Sequence, residues 1–219
     1  MWLKEFLNKI IDFVYPRKCY LCNKIIIKPD EFLCDYCSKN LKINTKIRVL
    51  NHENNIICIS PFEYFGNIRN SIRRFKFHNY KYYSEFFAKI IANELQKINI
   101  KNFDYICYVP LTKSRQNIRG FNQAELLAKD ISKILHIPCL NALRKIKNTK
   151  TQHELKLSER TVNVLGAFDI NSDLNIQNKN ILLCDDIVTS GSTLSECVKI
   201  LLNHNANSVT CCTIARSGN

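Results

Sequence analysis

The stretch ILLCDDIVTSGSTL, residues 181–194, constrains the fold of this chain more than any other segment. Ile181, Leu182, Leu183 and Cys184 are apolar without alternation, so both faces of this short strand need cover. A strand covered on both faces belongs inside a parallel sheet flanked by helices. Two adjacent carboxylates, Asp185 and Asp186, follow at once, and then Thr189, Ser190, Gly191, Ser192 and Thr193. Carboxylates at the end of a buried strand are costly unless something pairs with them. In open α/β sheets, ligands bind beyond the carboxyl ends of the strands, which is where both aspartates fall.

The Thr/Ser/Gly run reads as a turn into a helix. Backbone N–H groups and hydroxyls there can cradle a phosphate, and the helix dipole favours the anion. Gly191 permits a tight turn and a close backbone approach. The carboxylates can accept hydrogen bonds from sugar hydroxyls, directly or through Mg²⁺. A ribose 5-phosphate meets both needs. An ordinary strand–turn–helix with solvated aspartates is the plainer alternative.

The rest of the chain has the texture that such a strand requires. Trp2, Leu3, Phe6, Leu7, Ile10, Phe13 and Val14 share one helical face over 2–14, ended by Pro16. That face packs on the protein or lies on a membrane surface or partner. From residue 51 to 219, strand-like runs alternate with helical patterns. Strands are expected at 56–62, 104–110, near 137–142, at 181–184 and at 208–214, with helices near 66–76, 82–98, 121–135 and 192–203. The expected architecture is an α/β domain with a parallel sheet covered on both faces. The polar interval 143–180 has weak periodicity, and long intervals of this kind are often functional. No run approaches the roughly 18 apolar residues of a membrane span. The N-terminus carries Lys4, Glu5, Lys9 and Asp12 inside its apolar pattern, unlike a secretion signal, so a cytoplasmic location is expected.

Residues 17–50 carry a second constraint. Cys19, Cys22, Cys34 and Cys37 form two C-x2-C pairs separated by eleven residues. Each pair can place two thiolates on one knuckle, and two knuckles complete a tetrahedron around Zn²⁺. A segment this short needs such a metal to hold itself together. With four sulfurs the site is closed and structural; two redox pairs or unrelated thiols are the alternative. The other seven cysteines lie mostly in apolar strand-like runs and read as small core residues.

The formal net charge is +13. It suits a polyanionic partner, although a bias toward Lys, Asn and Ile would produce the same excess. Arg69, Arg73, Arg74, Lys76 and Lys81 form one basic cluster; Arg144, Lys145, Lys147 and Lys150 form another. Phe75, Phe77, Tyr80, Tyr82 and Tyr83 are interleaved with the first. Basic residues among aromatics can track single-stranded nucleic acid, or the aromatics can be core.

The 181–194 stretch resembles the 5-phosphoribosyl 1-pyrophosphate (PRPP) binding motif of type I phosphoribosyltransferases: apolar residues, two acids, then T-[ST]-G-x-T. That resemblance implies that Asp185 and Asp186 contact the ribose hydroxyls, as candidate catalytic residues, and that residues 189–193 hold the 5-phosphate, with Mg²⁺ accompanying PRPP. Residues 108–129, YVPLTKSRQNIRGFNQAELLAK, are similar to the ComF family of competence and DNA-uptake proteins through Val109, Pro110, Arg115, Arg119, Gly120, Phe121, Asn122 and Gln123. Residues 149–168 match the same family through Gln152, Leu155, Glu159, Arg160, Asn163 and Gly166–Phe168, and the four-cysteine ribbon belongs to that pattern too. The chain departs from it at Thr112 and Asn79. By this resemblance Pro110 begins a second loop of the PRPP site, and Gln152 and Arg160 lie in a hood above it. Arg115 and Arg119 are suited to neutralise a pyrophosphate, bidentately if need be, or are solvated surface charges.

The resemblance implies a DNA-uptake accessory protein on a phosphoribosyltransferase-like scaffold. Its partners would be PRPP or a related phosphorylated ribose, single-stranded DNA and other DNA-uptake machinery. It would work in the cytoplasm, with contact at the inner membrane face left open by the N-terminal helix. The alternative is an active Mg²⁺-dependent phosphoribosyltransferase whose acceptor no residue set identifies; a PRPP-sensing regulator without DNA contact is a third.

Overall fold

The computed structural model describes residues 16–26, 32–51, 56–77, 80–147, 164–171 and 174–217. The helix expected at 2–14 and the positions Asn79, Gln152, Leu155, Glu159, Arg160 and Asn163 lie outside the described residues. Along the chain run α1 (Asp35–Asn40), β1 (Lys46–Asn51), β2 (Ile56–Ser60), β3 (Phe62–Glu63), α2 (Gly66–Phe77) and α3 (Tyr83–Lys97). Then come β4 (Tyr105–Tyr108), α4 (Lys113–Arg119), α5 (Gln123–Leu135), β5 (Cys139–Leu140), β6 (Leu143–Lys145) and β7 (Phe168–Ile170). Finally come β8 (Asn180–Val188), α6 (Ser192–Asn203) and β9 (Ser208–Arg216).

The main sheet has the order β1-β2-β9-β8-β4-β5, with β3 beside β9. All its pairings are parallel except that of β1 with β2. The continuous apolar run of β8 is explained by its place. Leu183 pairs with Cys107 on one side and Cys211 on the other, and a core layer covers each face. Leu182 and Cys184 join the layer of α2, α3 and α5; Ile181 and Leu183 join the layer of α6, β6 and β7. The chain is thus an α/β domain with a mostly parallel sheet and helices on both faces, preceded by a four-cysteine ribbon.

Of the cysteines outside the ribbon, Cys58, Cys107, Cys184, Cys197, Cys211 and Cys212 are buried and Cys139 is half-buried. Burial pushes the Cys58 and Cys107 thiols up to about 12, which suits packing rather than reactivity. Among the described residues no helix is long and apolar enough to cross a membrane.

Four local features differ from the sequence expectation. Residues 46–50, grouped with the ribbon by composition, form most of the antiparallel edge strand β1. β8 extends to Val188, past the apolar run, because β9 keeps pairing alongside it: Asp185 lies opposite Thr213 and Val188 opposite Arg216. Both aspartates therefore sit within the strand rather than after it. Residues 113–119, expected as loop, form α4, capped by the Thr112 hydroxyl, which accepts from the Arg115 N–H. The polar interval holds a two-stranded antiparallel pair, β6 with β7, whose three-residue strands are too short to show a period.

Candidate functional site

The ribbon builds its cluster from local turns. Lys18 bridges Ile25, Cys19 N–H bonds to the Lys24 carbonyl at 2.7 Å, and Asn23 takes a left-handed conformation at φ 65°. Cys34 caps α1, which carries Cys37, and Tyr20 N–H ties the two arms through the Phe32 carbonyl at 2.9 Å. The four Sγ atoms lie within 4.8 Å of one another. Cys22 Sγ and Cys34 Sγ are 3.7 Å apart. A tetrahedron with Zn–S bonds of about 2.3 Å has edges of about 3.8 Å, so the donor set fits Zn²⁺ and fills all its positions. Burial raises the Cys19 thiol, but backbone N–H groups of Cys22, Cys34 and Leu21 outweigh it and bring it down to about 7, whereas burial keeps the Cys22 and Cys37 thiols raised.

This ribbon is docked, not tethered. Cys19, Leu21 and Cys37 belong to the core layer of α2, α3 and α5. Tyr20 stacks on Tyr83 at 4.4 Å between ring centroids. Arg74 of α2 donates to the Tyr20 carbonyl at 2.9 Å and the Leu21 carbonyl at 2.7 Å, both inside the first knuckle.

The second cluster lies at the carboxyl edge of the sheet. Successive strand residues project to opposite faces, and the two aspartates follow that rule. Asp186, 9% exposed, meets Lys76 of α2, with Oδ1 2.9 Å from Nζ. Asp185, on the side of Cys197 and Lys145, accepts the Asp186 N–H on Oδ1 at 2.8 Å. Burial, with the Asp186 charge adding to it, pushes the Asp185 carboxyl up to about 7, against the pull of that N–H, Lys76 and Lys145. Lys145 of β6 lies over the Phe168 ring at 5.0 Å. Its ammonium is brought down to about 8 by burial and by Arg115 of α4, while Cys197 and Asp185 pull the other way.

The loop after β8 is shaped from a distance. Gly191 precedes α6 at φ 86°, a left-handed conformation that other residues adopt at a cost. A Cβ there would stand 2.8 Å from Leu50 Cδ2 of β1. Arg48, also on β1, donates to the Thr189 carbonyl at 2.5 Å and the Ser190 carbonyl at 3.3 Å. Ser190 Oγ lies 2.9 Å from Ser192 Oγ and accepts the Ser192 N–H. With its carbonyls held by Arg48, the loop presents the start of a 12-residue helix, a geometry suited to an anion. A cavity of about 460 Å³ opens beside this loop, between α6 and Val164–Leu165, with Ser190 and Ser192 in its wall. The aspartates do not line it.

Residues 109–123 frame the same edge. Val109 N–H bonds to the Cys184 carbonyl at 3.0 Å, so the chain reaches Pro110 beside the last apolar residue before Asp185. Asn122 caps α5 through the Ala124 N–H and donates to the Val109 carbonyl, each at 3.0 Å. Gly120 ends α4 in a left-handed conformation at φ 77°. Phe121 is core, 5.8 Å from the Phe75 ring. Much of this motif therefore holds the α4–α5 corner. Arg115 shares its field with Lys145, whereas Arg119 lies over the Phe77 ring at 5.5 Å and donates to Gln123 Oε1 at 3.2 Å.

Lys76, Lys145 and Arg48 were not among the site residues expected from sequence. Lys76 and Lys145 were visible only as members of basic clusters. Arg48 had no local signal, since its partners are 141 and 142 positions away.

Among known families, the phosphoribosyl transferase domain matches residues 84–219, and the double zinc ribbon domain matches residues 10–47. Competence protein F of Haemophilus influenzae is 35% identical over 136 residues, 59% of this chain and 59% of that protein. DNA utilization protein YhgH of Escherichia coli K12 is 37% identical over 107 residues, 48% of this chain and 46% of that protein. Competence protein ComFC of Bacillus subtilis is 27% identical over 214 residues, 92% of this chain and 85% of that protein. The chain spans about half the length of the first two relatives and most of the third.

Proposed function

Because the chain belongs to the phosphoribosyl transferase domain family, we propose that its carboxyl edge binds PRPP or a related phosphorylated ribose and that the protein is an accessory factor in DNA uptake. The observation that carries the sugar-phosphate reading is the β8–α6 loop. Its carbonyls are tied back by Arg48 and its left-handed Gly191 opens a helix N-terminus next to two carboxylates. The loop suits a phosphate and the carboxylates suit ribose hydroxyls. Pro110 borders the same edge, and Arg115 adds positive charge to the half of it that carries Asp185. Calorimetric titration with PRPP of wild type and of the Asp185→Asn/Asp186→Asn double variant tests this reading. Affinity falling at least about tenfold in the variant is expected, a difference of about 1.4 kcal/mol. Identical binding by both proteins sinks it.

The role in DNA uptake is supported by relatives named for competence and DNA utilization. The net charge of +13 suits a polyanion. Of the interleaved aromatics, Phe75 and Tyr83 are core, but Phe77 and Tyr82 are 60% and 51% exposed, near the exposed Arg69, Arg73 and Lys81. This is the combination that holds single strands by stacking and phosphate contact. Fluorescence anisotropy with a labelled oligothymidine at rising salt checks it: affinity should fall steeply with salt. No measurable binding at low salt would remove DNA as a partner.

Catalytic turnover is a second reading, favoured by Asp185. A carboxyl held near 7 is poised to exchange a proton with an attacking acceptor at neutral pH. Pyrophosphate release from PRPP on addition of candidate bases and amines distinguishes an enzyme from a binding module.

A further inference from the structure

An acid pair at a sugar-phosphate site is the expected seat of Mg²⁺, but here one oxygen of each acid, Asp185 Oδ1 and Asp186 Oδ1, already has a donor within the protein. Mg²⁺ asks for carboxylate or water oxygens at about 2.0–2.1 Å in octahedral array. Asp186 Oδ1 is already taken by the Lys76 ammonium at 2.9 Å, and Asp185 Oδ1 by the Asp186 N–H at 2.8 Å. An ion held through these two oxygens would have to expel Lys76, whose side chain is 14% exposed, against an acid whose side chain is 13% exposed. An ammonium left in such a place without its carboxylate is strongly unfavourable. Lys76 is also fixed from behind. Its carbonyl accepts from Gln123 Nε2 at 3.4 Å, and Arg74, two residues earlier, is held by the Tyr20 and Leu21 carbonyls. Among the described residues, the cysteine quartet alone gathers three or more metal-ligating groups.

Among the described residues, positive charge lies on the Asp185 side as well. The charges of Arg115 and Asp185 both reach Lys145, so this cation too lies on the Asp185 side of the pair. Asp186 is neutralised by its own lysine.

We propose that Lys76 is the resident cation of this site, positioning Asp186 and neutralising it, so that a phosphorylated ribose binds with no divalent ion on the acid pair. The inference rests on the ribose-phosphate reading and specifies how that site manages its charge. The lysine does for Asp186 what a divalent ion would otherwise do.

The test uses ribose 5-phosphate beside PRPP, because the pyrophosphate of PRPP chelates Mg²⁺ by itself. The full-length protein is titrated calorimetrically in resin-depleted, Mg²⁺-free buffer and again with Mg²⁺. A soluble chelator is avoided, since it would strip the ribbon; bound zinc is measured before and after. Wild type should bind ribose 5-phosphate with affinities within about threefold in the two buffers. Lys76→Met should bind at least about tenfold more weakly without Mg²⁺ and recover part of that loss with it. Lys76→Arg, which keeps the charge, should bind independently of the metal. A role in folding alone would not make binding metal-dependent. Wild type that requires Mg²⁺, or Lys76→Met that binds like wild type without it, overturns the inference and leaves the ribose-phosphate reading standing. Wild type that binds neither compound in either buffer ends both. If Lys76→Met does not fold, the wild-type comparison between buffers decides.

Discussion

The cysteine ribbon and the carboxyl edge of the sheet solve the same problem, buried polar groups that need partners, in opposite ways. The ribbon draws its four sulfurs from two short knuckles close in sequence and closes them on one another. The carboxyl edge draws its charges from β1, α2, α4, β6 and β8, and no two partners are sequence neighbours apart from the aspartates themselves. A metal gives the first its stability; the second depends on the whole sheet being formed. One helix serves both. α2 reaches the ribbon through Arg74 and the acid pair through Lys76.

Breaking the ribbon should have the largest effect. Cys22→Ser removes one of four sulfurs, and structural zinc is worth roughly 10–16 kcal/mol in isolated zinc-finger peptides. We expect loss of bound zinc by elemental analysis and early unfolding of residues 16–45 by hydrogen exchange, with the sheet retained. If zinc content and exchange stay at wild-type values, the cluster is not a metal site.

Breaking the edge should cost less. Asp186→Ala leaves the Lys76 ammonium in its half-buried position without a carboxylate, a cost of about 3 kcal/mol in chemical denaturation. Adding Lys76→Ala should recover part of it. Strictly additive losses would show that the two residues are not coupled.

The smallest effect sharpens the comparison through pH. The folded Asp185 carboxyl is raised to about 7, above its ordinary value of 3.8. The folded state therefore holds this proton more tightly than the unfolded chain. Its contribution is fully present below about pH 4 and is lost as pH rises through 7. Stability should decline over that window from this group, and Asp185→Asn should flatten the decline. An unchanged pH profile in the variant would show that Asp185 is not held protonated.

Particular residues show where the sequence stopped being legible. The β8 strand, the Thr189–Thr193 turn and the cysteine quartet are readable because their chemistry lies in consecutive or closely spaced positions. Lys76 stands in a basic cluster, and among the described residues one member of that cluster is ion-paired with the acid pair. Helical spacing cannot say which turn faces a strand 110 positions later. β1 follows the ribbon with no turn signal between them, and its exposed Ile47 and Val49 do not mark it as an edge strand of the sheet. Its role in holding the loop arises from two side chains, Arg48 and Leu50. The family motif at 119–123 was legible as a signature, but its physical work, capping α4 and α5 and tying α5 to the end of β4, appeared only with the fold.

The sequence by itself determined the covered parallel strand, the acids that follow its apolar run, the turn that opens a helix behind them and the closed set of four sulfurs. Each follows from hydrophobic period, residue type or ligand spacing, all of which are local. The tertiary structure alone decided which charge meets which: that Asp186 turns to Lys76, that Asp185 lies toward Lys145, and that Arg48 braces the loop. Those pairings depend on the order of strands and the rotation of α2 against the sheet. Coulomb and hydrogen-bond energies fall off over a few ångströms, whereas the residues concerned are scores of positions apart in the chain.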